Sequence, residues 1–147
     1  MILRDLLFHT SPSAQVQGNL DVEIMHLAYD SRSVQPGTLF FALPGTKSEG
    51  TRFVEEAVAR GACAVVVPPG FATPSHITAI HTPAPRTLLG VCADRFYRHP
   101  TSQLTMVGVT GTSGKTTTTY LIESIWRAMG WVPGVVGTIN YRYRDQV

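Results

Sequence analysis

Charge is scarce in this chain of 147 residues: Asp, Glu, Lys and Arg make up 15% of it, and twelve basic against ten acidic side chains leave a formal +2. So small an excess, spread along the chain, excludes the basic stripe that neutralises nucleic-acid phosphates, and no nucleic-acid partner is expected. Cysteine is scarcer still. Cys63 and Cys92 share no CxxC or Cys/His spacing, which excludes a zinc ribbon or a disulfide framework and leaves two thiols expected in the interior. No window approaches the run of about 20 apolar residues that a membrane span needs. The opening MILRDLLFHTSPS is broken by Arg4 and Asp5 and lacks the apolar core and cleavage site of a signal peptide, so a cytoplasmic chain with no membrane partner is expected. Internal repeats and low-complexity tracts are also missing. Apolar residues are not: at 44% they supply enough for a compact protein built around a buried sheet.

Periodicity places the elements. Ile2, Leu3, Leu6 and Leu7 share a helical stripe, and the polar stretch through Gly18-Asn19 reads as turn. Residues 24–30 (IMHLAYD) and 38–43 (TLFFAL) read as strands separated by the Gln35-Pro36-Gly37 turn. Phe53, Val54, Ala57 and Val58 recur with helical spacing before Gly61, which sits where a left-handed cap belongs. The unbroken run 63–67 (CAVVV) suits a parallel strand covered on both faces, and 77–81 suits another. Pro85 can open a helix with its stripe at Leu88, Leu89, Cys92 and Phe96, and His99-Pro100 closes it. A domain boundary is expected there, dividing residues 1–100 from 101–147. The second part then reads as a buried strand (104–109, LTMVGV), a loop, a helix (116–129) striped by Leu121, Ile122, Ile125, Trp126 and Met129, and a further strand from Val132. Tyr and Arg alternate over 141–144, as on a strand with Tyr on one face and Arg on the other.

Chemistry concentrates in the loop Thr110-Gly111-Thr112-Ser113-Gly114-Lys115-Thr116. A strand that turns through glycines into a helix start aims several backbone N–H groups at one point, and the helix dipole favours an anion there. Phosphate oxygens fit that point, so Gly111, Thr112, Ser113, Gly114, Lys115, Thr116 and Thr117 are expected to bind ATP. Lys115 supplies a charge for the β- and γ-phosphates and Thr116 a hydroxyl for Mg²⁺, which makes these two the candidate catalytic residues. The match to G-x-x-x-x-G-K-[ST] is to a variant: its first glycine position is Val109, with Gly108 one residue early and Gly111 two late.

These residues resemble the Mur ligases of peptidoglycan assembly. GVTGTSGKTTTTYLIES (108–124) followed by GVVGTINYR (134–142) is similar to the branch that adds the third stem-peptide residue, the MurE type. DSRSVQPGTLFFALPGTKSEGTRFVEEAVARGACAVVV (30–67) resembles the uridine-nucleotide-binding domain of the same ligases, with its DSR, PG, LFxAL and GA-x-AVV segments in order. Ser113, where Asn or a larger polar residue is usual, and Glu49, where Asp is commoner, depart from the pattern without removing a phosphate ligand. The resemblance implies an α/β chain: a small uridine-nucleotide-binding domain, then the first strand, P-loop, helix and strand of a Rossmann-like ATP-binding domain. It implies an ATP- and Mg²⁺-dependent amide-bond ligase that joins a diamino acid, meso-diaminopimelate or L-lysine, to UDP-MurNAc-L-Ala-D-Glu through an acyl phosphate. Tyr29, Ser31, Thr46, Lys47 and Ser48 would hold the UDP substrate, with Lys47 near the diphosphate. Locally, Asp30 and Ser31 also suit a turn in which their side chains bond neighbouring N–H groups.

The 44 residues from Leu104 to Val147 are too few for a whole doubly wound domain. A monomeric N-terminal piece, inactive by itself, is therefore expected. Two alternatives stay open: the related MurF-type ligase that adds D-alanyl-D-alanine, and a non-catalytic uridine-nucleotide-binding module.

Overall fold

The computed structural model describes residues 1–8, 14–45, 49–144 and 146. It divides into two compact units, Met1–Leu104 and Thr105–Val147.

The first unit is an α/β layer. Its elements are α1 (Leu3–Leu7), β1 (Gln15–Gln17), β2 (His26–Ala28), β3 (Thr38–Phe41), α2 (Val54–Ala59), β4 (Ala62–Val67), β5 (Thr78–His81) and α3 (Pro85–Phe96), with short 3₁₀ turns at Ser31–Ser33, Gly50–Phe53 and Pro100–Gln103. The strands form one sheet in the order β1-β5-β4-β3-β2, in which β2 to β5 are parallel and β1 runs antiparallel at one edge.

The continuous apolar runs are explained by what lies on each face. Phe40, Val65, Val67 and Ala79 pack with Val54 and Ala57 of α2, while Leu39, Phe41, Ala64, Val66 and Ile80 pack with Leu3 and Leu6 of α1 and Leu88 and Cys92 of α3. Neighbouring residues of a strand point to opposite faces, so a strand covered twice must be apolar at every position. Gly61 has φ +101° after α2, and a Cβ there would lie 2.9 Å from the Pro36 Cα, so both its backbone and the close approach of the 36–37 turn require glycine.

Several sequence expectations change in detail. The strand expected over 24–30 is only His26–Ala28, because Asp30 turns the chain: its carboxylate accepts the Arg32 N–H at 3.0 Å and starts the 3₁₀ turn. The helix expected from Gly50 opens with a 3₁₀ turn and becomes α-helical only at Val54. The polar Gln15–Gln17, read as part of a turn, is an edge strand, since an edge needs only backbone pairing and no apolar pattern. Of the two thiols, Cys92 is fully buried and burial pushes it up to about 11. Cys63 is half-buried beside the register irregularity between β3 and β4.

The second unit contains α4 (Lys115–Ala128), β6 (Gly134–Val136) and β7 (Tyr141–Tyr143), the two strands forming an antiparallel hairpin. Residues 104–109 were expected to be a buried strand. They make no strand here: no ladder forms along 104–109, and Leu104, Met106 and Val107 are exposed. The stripe of α4 divides as well. Ile122 and Trp126 are half-buried, while Leu121, Ile125 and Met129 face solvent. On β7 the alternation holds from Tyr141 to Tyr143: both tyrosines are exposed and the Arg142 side chain is turned inward.

Candidate functional site

The expected phosphate loop is local geometry. Residues 105–109 form no regular element and lead into bends at 111–113, and Gly114 takes φ +76° as the N-cap of α4. Gly111 has φ +152°. A Cβ on Gly114 would meet nothing within 4 Å, so its φ alone calls for glycine there, and an anion has open access to the backbone. No side chain caps the helix, whose first-turn bond is Thr118 N–H to the Gly114 carbonyl at 2.9 Å. The N–H groups of the residues before it have no carbonyl to reach within the helix, which is the arrangement that binds phosphate.

Lys115 donates its ammonium to the Gly111 carbonyl at 2.5 Å, so its charge lies across the loop. Thr112, Ser113, Thr116 and Thr117 are all exposed around it. The Thr119 hydroxyl donates to the Thr116 carbonyl at 2.7 Å, an internal helix bond. Beside the loop is a cleft of about 160 Å³ lined by Lys115, Thr116 and Thr119 on the helix and by Thr138, Asn140 and Arg142 on the hairpin. Among the described residues no cluster of three His, Cys, Asp or Glu side chains is placed to hold a metal. The donors present suit Mg²⁺ held by the Thr116 hydroxyl and phosphate oxygens, since Mg²⁺ keeps waters and few protein ligands.

The second set of expected residues belongs to the first unit. Tyr29 and Ser31 follow β2, and the segment through Pro44 follows β3, so both leave the carboxyl ends of adjacent parallel strands, where open α/β sheets bind ligands. Tyr29 is 67% exposed. Ser31 is buried, and its hydroxyl donates to the Glu56 carboxylate at 2.9 Å. Glu56 also accepts Arg60 at 3.0 Å. Asp30 is paired with Arg32 at 2.6 Å, which holds its carboxyl down at about 2. Asp30 therefore builds the local turn its residue type suits, whereas the Ser31 hydroxyl bonds no neighbouring N–H group in the hydrogen bonds described and reaches Glu56 on α2 instead. Thr46, Lys47 and Ser48 lie outside the described residues, between Pro44 and Glu49, which form a β-bridge.

Sequence reasoning missed the charged network around the buried Glu123 of α4. Glu123 accepts Arg127 at 3.0 Å and Arg142 at 2.6 Å, and the Arg142 guanidinium stacks 4.0 Å from the centre of the Tyr120 ring. The Arg142 hydrogen bonds hold the Glu123 carboxyl below its ordinary value, and Arg127 adds to the effect. The four-residue spacing of Glu123 and Arg127 is a legible signal. The pairing with Arg142 crosses from helix to hairpin and has none.

Residues 23–97 match the family model described as Mur ligase family, catalytic domain, and residues 109–146 match the Mur ligase middle domain. The UDP-N-acetylmuramoyl-L-alanyl-D-glutamate--2,6-diaminopimelate ligase of Geobacter sulfurreducens is 44% identical over 147 residues, covering 100% of this chain and 29% of its own length. That of Solibacter usitatus is 44% identical over 129 residues, covering 85% of this chain and 25% of its own. A solved structure of a ligase of the same name has a TM-score of 0.73 at 24% identity, over 99% of this chain and 29% of that one, a likeness of fold. MurF from Acinetobacter baumannii has a TM-score of 0.59 at 29% identity, over 80% of this chain and 25% of that one. The chain spans 25–30% of the length of the curated relatives it matches.

Proposed function

The chain belongs to the Mur ligase family, and from that premise we propose that it forms the nucleotide-holding N-terminal part of an ATP-dependent amide-bond ligase of peptidoglycan precursor synthesis. Its first unit takes the UDP end of UDP-MurNAc-L-Ala-D-Glu at the carboxyl ends of β2 and β3, through Tyr29, Ser31 and the 46–48 segment. Its second unit takes the phosphates of ATP on the 111–117 loop. The amino acid joined is a diamino acid, and the names its relatives bear favour 2,6-diaminopimelate.

The single observation that carries the ATP reading is the start of α4: an uncapped helix entered through a left-handed glycine, with the Lys115 ammonium across the loop. In the reaction, an oxygen of the substrate carboxylate attacks the γ-phosphorus and ADP leaves. The amine nitrogen then attacks the acyl carbon, inorganic phosphate leaves, and the nitrogen gives up a proton. What this chain supplies is placement and charge: backbone N–H groups and Lys115 neutralise phosphate oxygens and hold the γ-phosphoryl in line. Mg²⁺ held at Thr116 would offset the remaining phosphate charge.

Titration of the chain with MgATP and separately with UDP-MurNAc-L-Ala-D-Glu tests the assignment. Lys115→Ala is expected to weaken MgATP by about tenfold or more, the worth of one charge-assisted contact, and to leave the UDP ligand unaffected. Ser31→Ala is expected to do the reverse. MgATP affinity indifferent to Lys115→Ala would remove the loop from the site.

A further inference from the structure

Glu123 is the single buried charged side chain among the described residues, and neither the phosphate loop nor the UDP residues account for it. Thr116, Thr119 and Glu123 are spaced three and four residues apart and so share one face of α4, with Glu123 about 10 Å along the axis from Thr116. Its two oxygens are divided between two arginines. Oε1 accepts Arg127 Nη2 at 3.0 Å, and Oε2 accepts Arg142 Nη2 at 2.6 Å and Nε at 3.2 Å. Arg127 belongs to the same helix. Arg142 belongs to β7, and its other arm, Nη1, donates to Asn140 Oδ1 at 2.5 Å. Asn140 in turn closes the hairpin, its carbonyl accepting the Gly137 N–H at 3.2 Å. One guanidinium, stacked on Tyr120, thus joins the phosphate-loop helix to the turn that carries Thr138 and Asn140, and these line the same cleft as Lys115 and Thr116.

We infer that Glu123 and Arg142 are positioning residues for the nucleotide: their ion pair sets the 137–140 turn as the second wall of the cleft beside Lys115. The inference rests on the ATP reading of the loop. The planar fork is what the role requires, because it bonds the carboxylate through two nitrogens while the third reaches Asn140. A lysine offers one point of charge and cannot span both. Arg127 supplies the built-in control, since it contacts the same carboxylate, and the Arg144 carbonyl after β7 at 3.3 Å, but among the hydrogen bonds described does not reach Asn140 in the turn that lines the cleft.

The test is titration of the 147-residue chain with a fluorescent N-methylanthraniloyl ATP analogue and Mg²⁺, with thermal melts followed by the emission of Trp126 and Trp131. Loss of wall placement predicts about tenfold weaker binding for Arg142→Met and an intermediate loss for Arg142→Lys, with Arg127→Met within about twofold of the parent. Equal weakening by Arg142→Met and Arg127→Met would show that only ion-pair stability is at stake and would overturn the inference, as would parental affinity in Arg142→Met. Should Arg142→Met give no melting transition, Arg142→Lys against Arg127→Lys decides by the same comparison. A parent chain that does not bind the analogue defeats the ATP reading itself and the positioning role with it. A parent that binds, with variants that bind equally well, defeats the positioning role alone.

Discussion

The two units put the same kinds of residue to opposite use. In Met1–Leu104, Leu39, Phe40, Phe41, Val65, Val66 and Ile80 are closed in by helices on both sides of a five-stranded sheet. In Thr105–Val147, Met106, Val107, Leu121, Ile125 and Val136 are exposed, and the buried side chain of α4 is the acid Glu123. Stability in the first unit therefore comes from apolar burial, and in the second a charged network carries much of the tie between helix and hairpin. A phosphate loop needs little core. Its donors are backbone N–H groups and one ammonium, placed by three or four residues of local conformation. The proposed site for the larger UDP ligand draws on the carboxyl ends of different strands, which only a finished sheet sets side by side.

The largest test of this contrast is a matched pair of truncations. Phe40→Ala, in the enclosed core, is expected to cost about 3–5 kcal/mol, whereas Ile122→Ala on the half-buried face of α4 is expected to cost about 1 kcal/mol. Both tryptophans of the chain lie in the second unit. Circular dichroism should therefore follow the loss of the first unit in Phe40→Ala while tryptophan emission melts at the parental temperature; a joint shift would break the contrast.

A smaller effect separates Gly61 and Gly114, both at positive φ. Alanine at Gly61 meets both the strained φ and the Pro36 backbone, and is expected to cost somewhat more than the ~1–2 kcal/mol of left-handed conformation alone. Gly114→Ala has open space around it, so its cost in stability should stay near ~1 kcal/mol while its effect appears in MgATP titrations. Equal melting temperatures for the two variants would contradict the close approach seen at Gly61.

The smallest expected effect is on pH dependence. The Glu123 carboxyl is held below its ordinary value of 4.5, so the charged form is favoured in the folded state. Its contribution is complete above 4.5 and disappears as pH falls through the lower folded value. Tryptophan emission from the second unit should therefore lose stability below about pH 4.5, and Glu123→Gln should flatten that dependence at the cost of lower stability near neutrality. An unchanged acid profile in Glu123→Gln would assign the acid sensitivity elsewhere.

Much of the molecule was legible because its signals are local. The run Ala62–Val67 announces a strand covered twice, Gly61 announces the end of α2, and Gly-x-x-Gly-Lys-Thr announces the glycine turn into α4. Each depends on the conformational range of one residue or on a periodicity that a neighbour does not alter. Residues 104–109 show the limit of such reasoning: they have strand-like composition, yet a strand exists only where another backbone pairs with it. The same limit hid the edge strand Gln15–Gln17, the Ser31–Glu56 bond and the Glu123–Arg142 pair. By itself the sequence determined the α/β character of the chain, the glycine turn into α4 and the family resemblance, since short-range sterics and apolar periodicity are written in consecutive residues. Tertiary structure alone decided which acid meets which arginine and which apolar face is closed, because those contacts join residues far apart in the chain and form only where folded surfaces meet.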